Sequence, residues 1–290
     1  MKNTARRDKL AINRAHWNEA TEIHSRGNVY GSDDFKRGEC QLFRIEVDEL
    51  GDVNGKTLLH LQCHFGLDTL SWARRGATVT GIDFSPAAIA LAKSISDETR
   101  VPGEFFCANL YDARTALDRP AGFDIVFTSY GVICWLPDLL EWAQIIAHFL
   151  KPGGTFYIAE AHPFARIFPM DADVKAESQR GKPMFEYSHD PAGTYWPPSS
   201  DYADESATTT TGEHEWKHSM SDVINALIAA GLRIESLYEY PLCPWKVIHD
   251  LEVVERFSAS RAYYGFAKGK STFPLMFTLR ARKPYPREPT

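Results

Sequence analysis

The chain has 290 residues, enough for one large α/β domain carrying an insertion or for two small ones. A formal net charge of −6 and the lack of any basic block argue against a nucleic-acid binder and favour a small-molecule partner. Five scattered cysteines without a CxxC pair predict reduced thiols in a cytoplasm, and no apolar run approaches the length of a membrane span.

The first twenty residues carry charge but no apolar stretch, so they do not read as a signal peptide. Residues 8 to 24 read as an amphipathic helix with Leu10, Ile12, Ala15, Trp17 and Ala20 on its apolar side. A second helix is expected over roughly 39–50, followed by the loop GDVNGK. Then strands and helices alternate. TLLHL (57–61) is a short buried strand, and LDTLSWARR (67–75) a helix ending at Gly76. ATVTGID (77–83) is a strand. The helix SPAAIALAKSI (85–95) has Ser85 as N-cap and Pro86 at its first position. GEFFCAN (103–109) and FDIVFTSY (123–130) are strands, LPDLLEWAQIIAHFL (136–150) a helix, KPGG a turn and TFYIAEA (155–161) a fifth strand. This rhythm predicts a parallel sheet covered on both faces.

Residues 164–213 break the rhythm with Pro, Tyr, Asp, Ser and Thr, which predicts a lid or substrate-binding insertion. Order resumes at a helix whose Ser219 and Asp222 form a capping box and whose end is Gly231. RIESLYEY (233–240) and STFPLMFTLRAR (271–282) read as two more strands, with an aromatic-rich connection between them. The organisation expected is an N-terminal helical cover (1–50), a core (51–163), a lid (164–218) and a C-terminal part of the same sheet (219–290).

Open parallel sheets bind ligands at the carboxyl ends of their strands. The residues there are QCHFG after strand one, Asp83, Phe84 and Ser85 after strand two, and Asn109 and Leu110 after strand three. Ser129, Tyr130 and Gly131 follow strand four, and Glu160, Ala161 and His162 close strand five. Asp83 lies 17 residues beyond Gly66, placed to accept hydrogen bonds from ribose hydroxyls. Its competing role is to cap the next helix, which Ser85 already does.

Taken together, LLHLQCHFG, TGIDFS, CANLYD, FDIVFTSY and LKPGGTFYIAE resemble the class I S-adenosylmethionine-dependent methyltransferases, over residues 50–163 well and 213–282 more loosely. The resemblance implies a Rossmann-like, doubly wound, seven-stranded sheet, mostly parallel with an antiparallel last strand and helices on both faces. It implies S-adenosylmethionine as cofactor and S-adenosylhomocysteine as product. Asp83 would hold the ribose, Phe84 the adenine face and Asn109 the adenine edge. Gln62, His64 and Gly66 would run beside the methionine part. Ser85, Leu110 and Ser129 would complete the site, with Trp17 and Tyr30 as a cover. The family places an acidic residue where His60 stands and glycines where Gln62 and His64 stand. Either a wider turn uses those side chains in place of backbone contacts, or the fold has left its cofactor behind.

Methyl transfer needs a positioned acceptor in a dry site and, for a protonated acceptor, a base. His162 is the first candidate, His214 and His218 of HEWKH the second, and Tyr130 and Trp135 are candidate pocket walls. His214 and His218 precede a helix rather than lie within it, so no metal is expected. The leading expectation is methyl transfer to a small-molecule acceptor, in a monomer or homodimer with no nucleic-acid or membrane partner. The alternatives are an inactive methyltransferase-like binding protein and an NAD-dependent oxidoreductase.

Overall fold

Leu58 and Leu59 point to opposite faces of one strand, as the two-residue period of extended chain requires, and both are fully buried. A strand buried on both sides belongs to a sheet covered on both sides. The computed structural model describes every residue except 1, 27, 171–175, 180, 205, 259, 271 and 287–290.

Helices α1 (Lys2–Ser25), α2 (Ser32–Lys36) and α3 (Arg44–Leu50) precede β1 (Thr57–Leu61). Next come α4 (Leu67–Arg74), β2 (Thr78–Asp83), α5 (Pro86–Thr99), β3 (Glu104–Cys107), α6 (Ala113–Ala116), β4 (Phe123–Ser129), α7 (Leu139–Phe149) and β5 (Leu150–Ala161). The insertion carries β6 (Thr194–Trp196) and β7 (Glu213–Glu215). It is followed by α8 (Met220–Ala229), β8 (Arg233–Tyr240), β9 (Leu242–Cys243), β10 (Glu252–Arg256), β11 (Ala262–Gly265) and β12 (Met276–Arg282).

Seven strands form the main sheet in the order β3-β2-β1-β4-β5-β12-β8. Only β12, the last in the chain, runs antiparallel to its neighbours β5 and β8. This is the doubly wound, Rossmann-like sheet that the resemblance implies. On one face Leu59, Leu61, Val126, Phe156 and Ile158 pack against Trp142, Ile146 and Phe149 of α7 and Val223 and Leu227 of α8. On the other, Leu58, Val79, Ile125, Phe127 and Tyr157 meet Trp72 of α4. Each such fully buried side chain contributes roughly 1.5–3 kcal/mol. The order reverses between β1 and β4, and that reversal opens a crevice at the strand ends.

Local signals hold where they rest on caps. Ser85 Oγ accepts the Ala88 N–H at 3.1 Å, and Ser219 and Asp222 cap each other's backbone N–H groups. Four expectations change. The helix expected over 39–50 starts only at Arg44, because the Arg261 guanidinium takes the carbonyls of Cys40 and Leu42 and the Gln41 N–H goes to Ser71. KPGG is not a free turn but the start of β5. Gly153 donates to Lys283 O at 2.8 Å, and Lys283 donates back to Gly154 O at 3.0 Å. The aromatic connection contains a second sheet, β10-β11-β9, over a core of Cys243, Val247, Ile248 and Leu251. The strand expected over 271–282 covers Met276–Arg282, and residue 271 lies outside the described residues.

The insertion is also more ordered than its composition suggests. β6 and β7 pair as an antiparallel ribbon, with Thr194 opposite Glu215. Parts of the expected lid, 171–175, 180 and 205, lie outside the described residues. Helix α1 straps the ribbon down. Asn13, fully buried, exchanges two hydrogen bonds with the His214 backbone at 2.7 and 2.8 Å. Among the described residues, no helix is long and apolar enough to cross a membrane.

Candidate active site at the β1 turn

The turn after β1 has a left-handed residue at every second position: Gln62 (φ 57°), His64 (φ 50°) and Gly66 (φ 76°). Glycine adopts this conformation freely, whereas other residues pay roughly 1–2 kcal/mol for it. Gly66 is required twice over, since a Cβ there would come within 2.7 Å of the Phe105 ring on β3. Gln62 and His64 escape that restriction because their side chains have somewhere to go. Gln62 Nε2 donates to Val132 O at 3.1 Å, so the side chain reaches the loop after β4. The His64 ring packs on Phe65 (4.2 Å between centroids), Trp17 (5.2 Å), Tyr30 (5.3 Å) and His24 (5.4 Å).

Asp83 ends β2 beside this turn. Its Oδ2 accepts the His64 N–H and its Oδ1 the Ser85 N–H, both at 2.9 Å. Burial pushes its carboxyl up to about 6, against the pull of these donors. Asp83 therefore does locally what a capping residue does, and it does so at the expected ribose position.

His60, in the family's acidic position, is buried and neutral, its imidazole driven down to about 3 by desolvation. Its Nδ1 meets Thr69 Oγ1 at 2.8 Å and its Nε2 meets Ser129 Oγ at 3.3 Å. Ser129 in turn donates to Asp68 Oδ2 at 3.0 Å. Glu46 of α3, fully buried, accepts from the Phe43 N–H and from the Tyr130 hydroxyl. Burial raises both the Asp68 and the Glu46 carboxyls, and the charge of Asp68 adds to the rise at Glu46. Glu160 ends β5 and collects four backbone N–H groups, from Gly131, Val132, Ile133 and Ala161, at 2.7–3.2 Å. It thereby fixes the loop after β4.

Of the cofactor candidates, Trp17, Tyr30, Gln62, His64, Gly66, Asp83 and Ser129 gather around the turn. Ser85 adjoins them as the α5 cap and is tied to α1 by a 2.7 Å bond to Asn18. Phe84, half-buried, follows Asp83 at the β2 end. Asn109 caps the turn at Leu110–Asp112 through its own side chain, and Leu110 points into the core.

The base candidates do not converge. His162 is engaged at both nitrogens, with Glu239 at 2.8 Å and the Phe164 N–H at 3.1 Å, which leaves no free lone pair for a substrate proton. His214 sits under α1, with its ring 5.1 Å from Tyr195. Tyr130 turns its hydroxyl to Glu46 and packs on Phe43 and Trp245. His218 lies 2.7 Å from Leu136 O, stacked on His189, in a small cleft that it shares with Cys134, Ala161, Arg166 and Tyr187. Burial lowers its imidazole to about 4, so it is neutral near pH 7. Trp216 is buried and Trp135 donates to Gly131 O. Among the described residues, no group of three or more His, Cys, Asp or Glu could hold a metal ion.

Sequence reading missed Asp68, Glu46 and the His24–Asp201 pair, whose Nε2–Oδ distances are 3.1 Å. Asp68, one residue after the GL that follows the turn, was within reach. The others carry no local signal, because their partners lie far along the chain.

Residues 59–156 match the family model of a methyltransferase domain. Ubiquinone biosynthesis O-methyltransferases are relatives: that of Chromobacterium violaceum is 30% identical over 122 residues, covering 42% of this chain and 51% of its own. That of Xanthomonas campestris pv. campestris is 33% identical over 123 residues, covering 42% and 50%. The chain thus spans about half the length of the curated relatives it matches. The fold is similar to that of an S-adenosylmethionine-dependent methyltransferase from Mesorhizobium loti, with TM-score 0.55, 20% identity and coverage of 85% and 99%. A Methanosarcina mazei S-adenosylmethionine-dependent methyltransferase gives 0.51, 17%, 84% and 99%. With the sheet order and the turn above, these matches make residues 59–156 a methyltransferase domain, in a fold similar to that of S-adenosylmethionine-dependent methyltransferases.

Proposed function

We propose that this chain moves a methyl group from S-adenosylmethionine to a small-molecule acceptor. The observation that carries the reading is the β1 turn. It keeps the left-handed, alternate-residue backbone of a glycine-rich turn although two of its three positions are not glycine. The polar atoms around it fit such a ligand. Gln62 Oε1, Trp17 Nε1 and His24 Nδ1 are buried without a hydrogen-bond partner. To Asp83 we assign the ribose and to Phe84 the adenine face.

When bound, S-adenosylmethionine supplies a methyl group activated by the sulfonium charge. The protein's own contribution is positioning and exclusion of water. Trp17, Tyr30 and His24 close over the turn, and the strap from α1 to β7 holds that cover in place. Glu160 fixes the loop after β4 that separates the turn from the cleft at His218. If the acceptor carries a proton, His218 is the histidine we assign to it. With Nε2 donating to Leu136 O, its Nδ1 holds the lone pair. A small acceptor is supported by the net charge of −6 and by the ubiquinone biosynthesis for which the relatives are named.

The test is calorimetric titration with S-adenosylmethionine, S-adenosylhomocysteine and NAD, repeated on Asp83→Ala. Micromolar binding of both adenosyl ligands, weakened in the variant, is expected. Binding of NAD alone would turn the reading to an oxidoreductase. Adenosyl binding without methylation of any acceptor would turn it to an inactive binding protein.

A further inference from the structure

Helix α1 meets the insertion along a row of polar side chains. Lys9, Asn13, His16 and Glu19 recur every three or four residues, which places them on one side of the helix. Lys9 donates to Ala192 O, and Asn13 exchanges its two bonds with His214. Glu19 accepts the N–H and hydroxyl groups of Thr210 and Thr211. His16 differs from these in its proton count. Its Nδ1 lies 3.0 Å from Thr211 O and its Nε2 lies 2.7 Å from Glu213 Oε2. A carbonyl and a carboxylate only accept, so both ring nitrogens must carry hydrogen and the ring is an imidazolium. His24, further along α1, reaches both oxygens of Asp201 through Nε2 alone and needs one proton there.

The surroundings of His16 favour its charge. The carboxylates of Glu213 and Asp201 face it from the insertion, and the loop after β4 faces it with the Trp135 ring, 6.3 Å away. On its own helix, Glu19 is taken up by Thr210 and Thr211. Burial works against the charge, but the Glu213 bond and charge, the Thr211 carbonyl and the charge of Asp201 outweigh it, so the imidazole is raised from its ordinary 6.5. The two side chains are 14% and 24% exposed, which shields the bond while leaving its proton a route to water. Loss of that proton sets a nitrogen lone pair against an acceptor oxygen. The folded chain holds the proton more tightly than the unfolded one, so this fastening is complete below pH 6.5 and is lost as pH rises through the raised value. The next residue, Trp17, packs on His64, so the row lies beside the cover of the turn after β1. We propose that the seam between α1 and residues 210–215 is a latch, fastened while His16 holds its second proton and released when that proton leaves. The latch is independent of which ligand the turn binds.

The experiment is hydrogen exchange of the full chain across pH 6 to 9, corrected for the intrinsic pH dependence of amide exchange, on the wild type, His16→Gln and Glu213→Gln. The amides of Thr210, Thr211 and His214 are bonded to α1 side chains, so their protection reports the seam. Wild-type protection over residues 210–215 is expected to fall about tenfold as pH rises, relative to β1 and β4. His16→Gln has no proton to lose in this range, so its protection should not change with pH. In Glu213→Gln the midpoint should move to lower pH, because the carboxylate that holds the proton is gone. In the wild type, the His16 ring resonance should titrate above 6.5, in step with the loss of protection. No fall in the wild type, an equal fall in His16→Gln, an unmoved midpoint in Glu213→Gln, or a His16 resonance that titrates below 6.5 would each overturn the proposal.

Discussion

The backbone N–H of His64 donates to the Asp83 carboxylate at 2.9 Å, which ties the turn after β1 to the end of β2. The residue we propose for the ribose is therefore also the clasp of the turn after β1. Replacing Asp83 by alanine leaves the N–H groups of His64 and Ser85 without their acceptor. A loss of about 2 kcal/mol in stability is expected from urea unfolding, with Asp83→Asn losing less because it keeps one carbonyl oxygen.

Gly66→Ala is expected to destabilise by about 2 kcal/mol or more, from the left-handed backbone and the contact with the Phe105 ring together. The two causes separate in a double mutant. Phe105→Leu alone destabilises, but combined with Gly66→Ala it should recover part of the clash and none of the backbone strain. Strict additivity of the two changes would show that the ring is not in the way.

His60 gives a pH signature. Its imidazole is held at about 3 in the folded chain, against an ordinary value of 6.5. The unfolded chain therefore binds a proton that the folded chain refuses over that window, and stability falls as pH drops from 6.5 to about 3. The slope from this group approaches about 1.4 kcal/mol per pH unit. The raised carboxyl of Asp83 acts in the opposite sense up to about pH 6, so the His60 contribution is read as a difference. Wild-type stability minus that of His60→Gln should decline across this window in acid unfolding curves. A flat difference would mean that His60 accepts its proton in the folded state.

The strap between α1 and the insertion is expected to act as one unit. Asn13→Ala removes both bonds to the His214 backbone, in a side chain that is fully buried. Hydrogen exchange should rise several-fold across residues 213–215 and along α1 near residue 13, with β1 and β4 unaffected. Faster exchange confined to residue 214 would mean that the helix is held by its other contacts.

Much of this protein is legible in its residues taken alone. The alternation of apolar strands and capped helices determined a parallel, doubly covered sheet. That information is local, since periodicity and caps act within one element or its nearest turn. The positions of Asp83 and Gly66 were legible for the same reason: strand ends define the crevice wherever the strands run parallel.

Tertiary structure decided what depends on partners distant in the chain. Only packing shows that Asp83 clasps the turn, that Gly66 answers to the Phe105 ring, that His162 is engaged at both nitrogens and that His218 is held through Nε2. The helix that starts at Arg44 rather than near 39 depends on Arg261, more than two hundred residues away. The β9–β11 sheet and the β6–β7 ribbon are too short to declare themselves by pattern, and they form because an apolar cluster and a buried Asn13 wait for them. Sequence supplies the preference of each segment, but hydrogen-bond satisfaction and burial between segments can be counted only once the chain is folded.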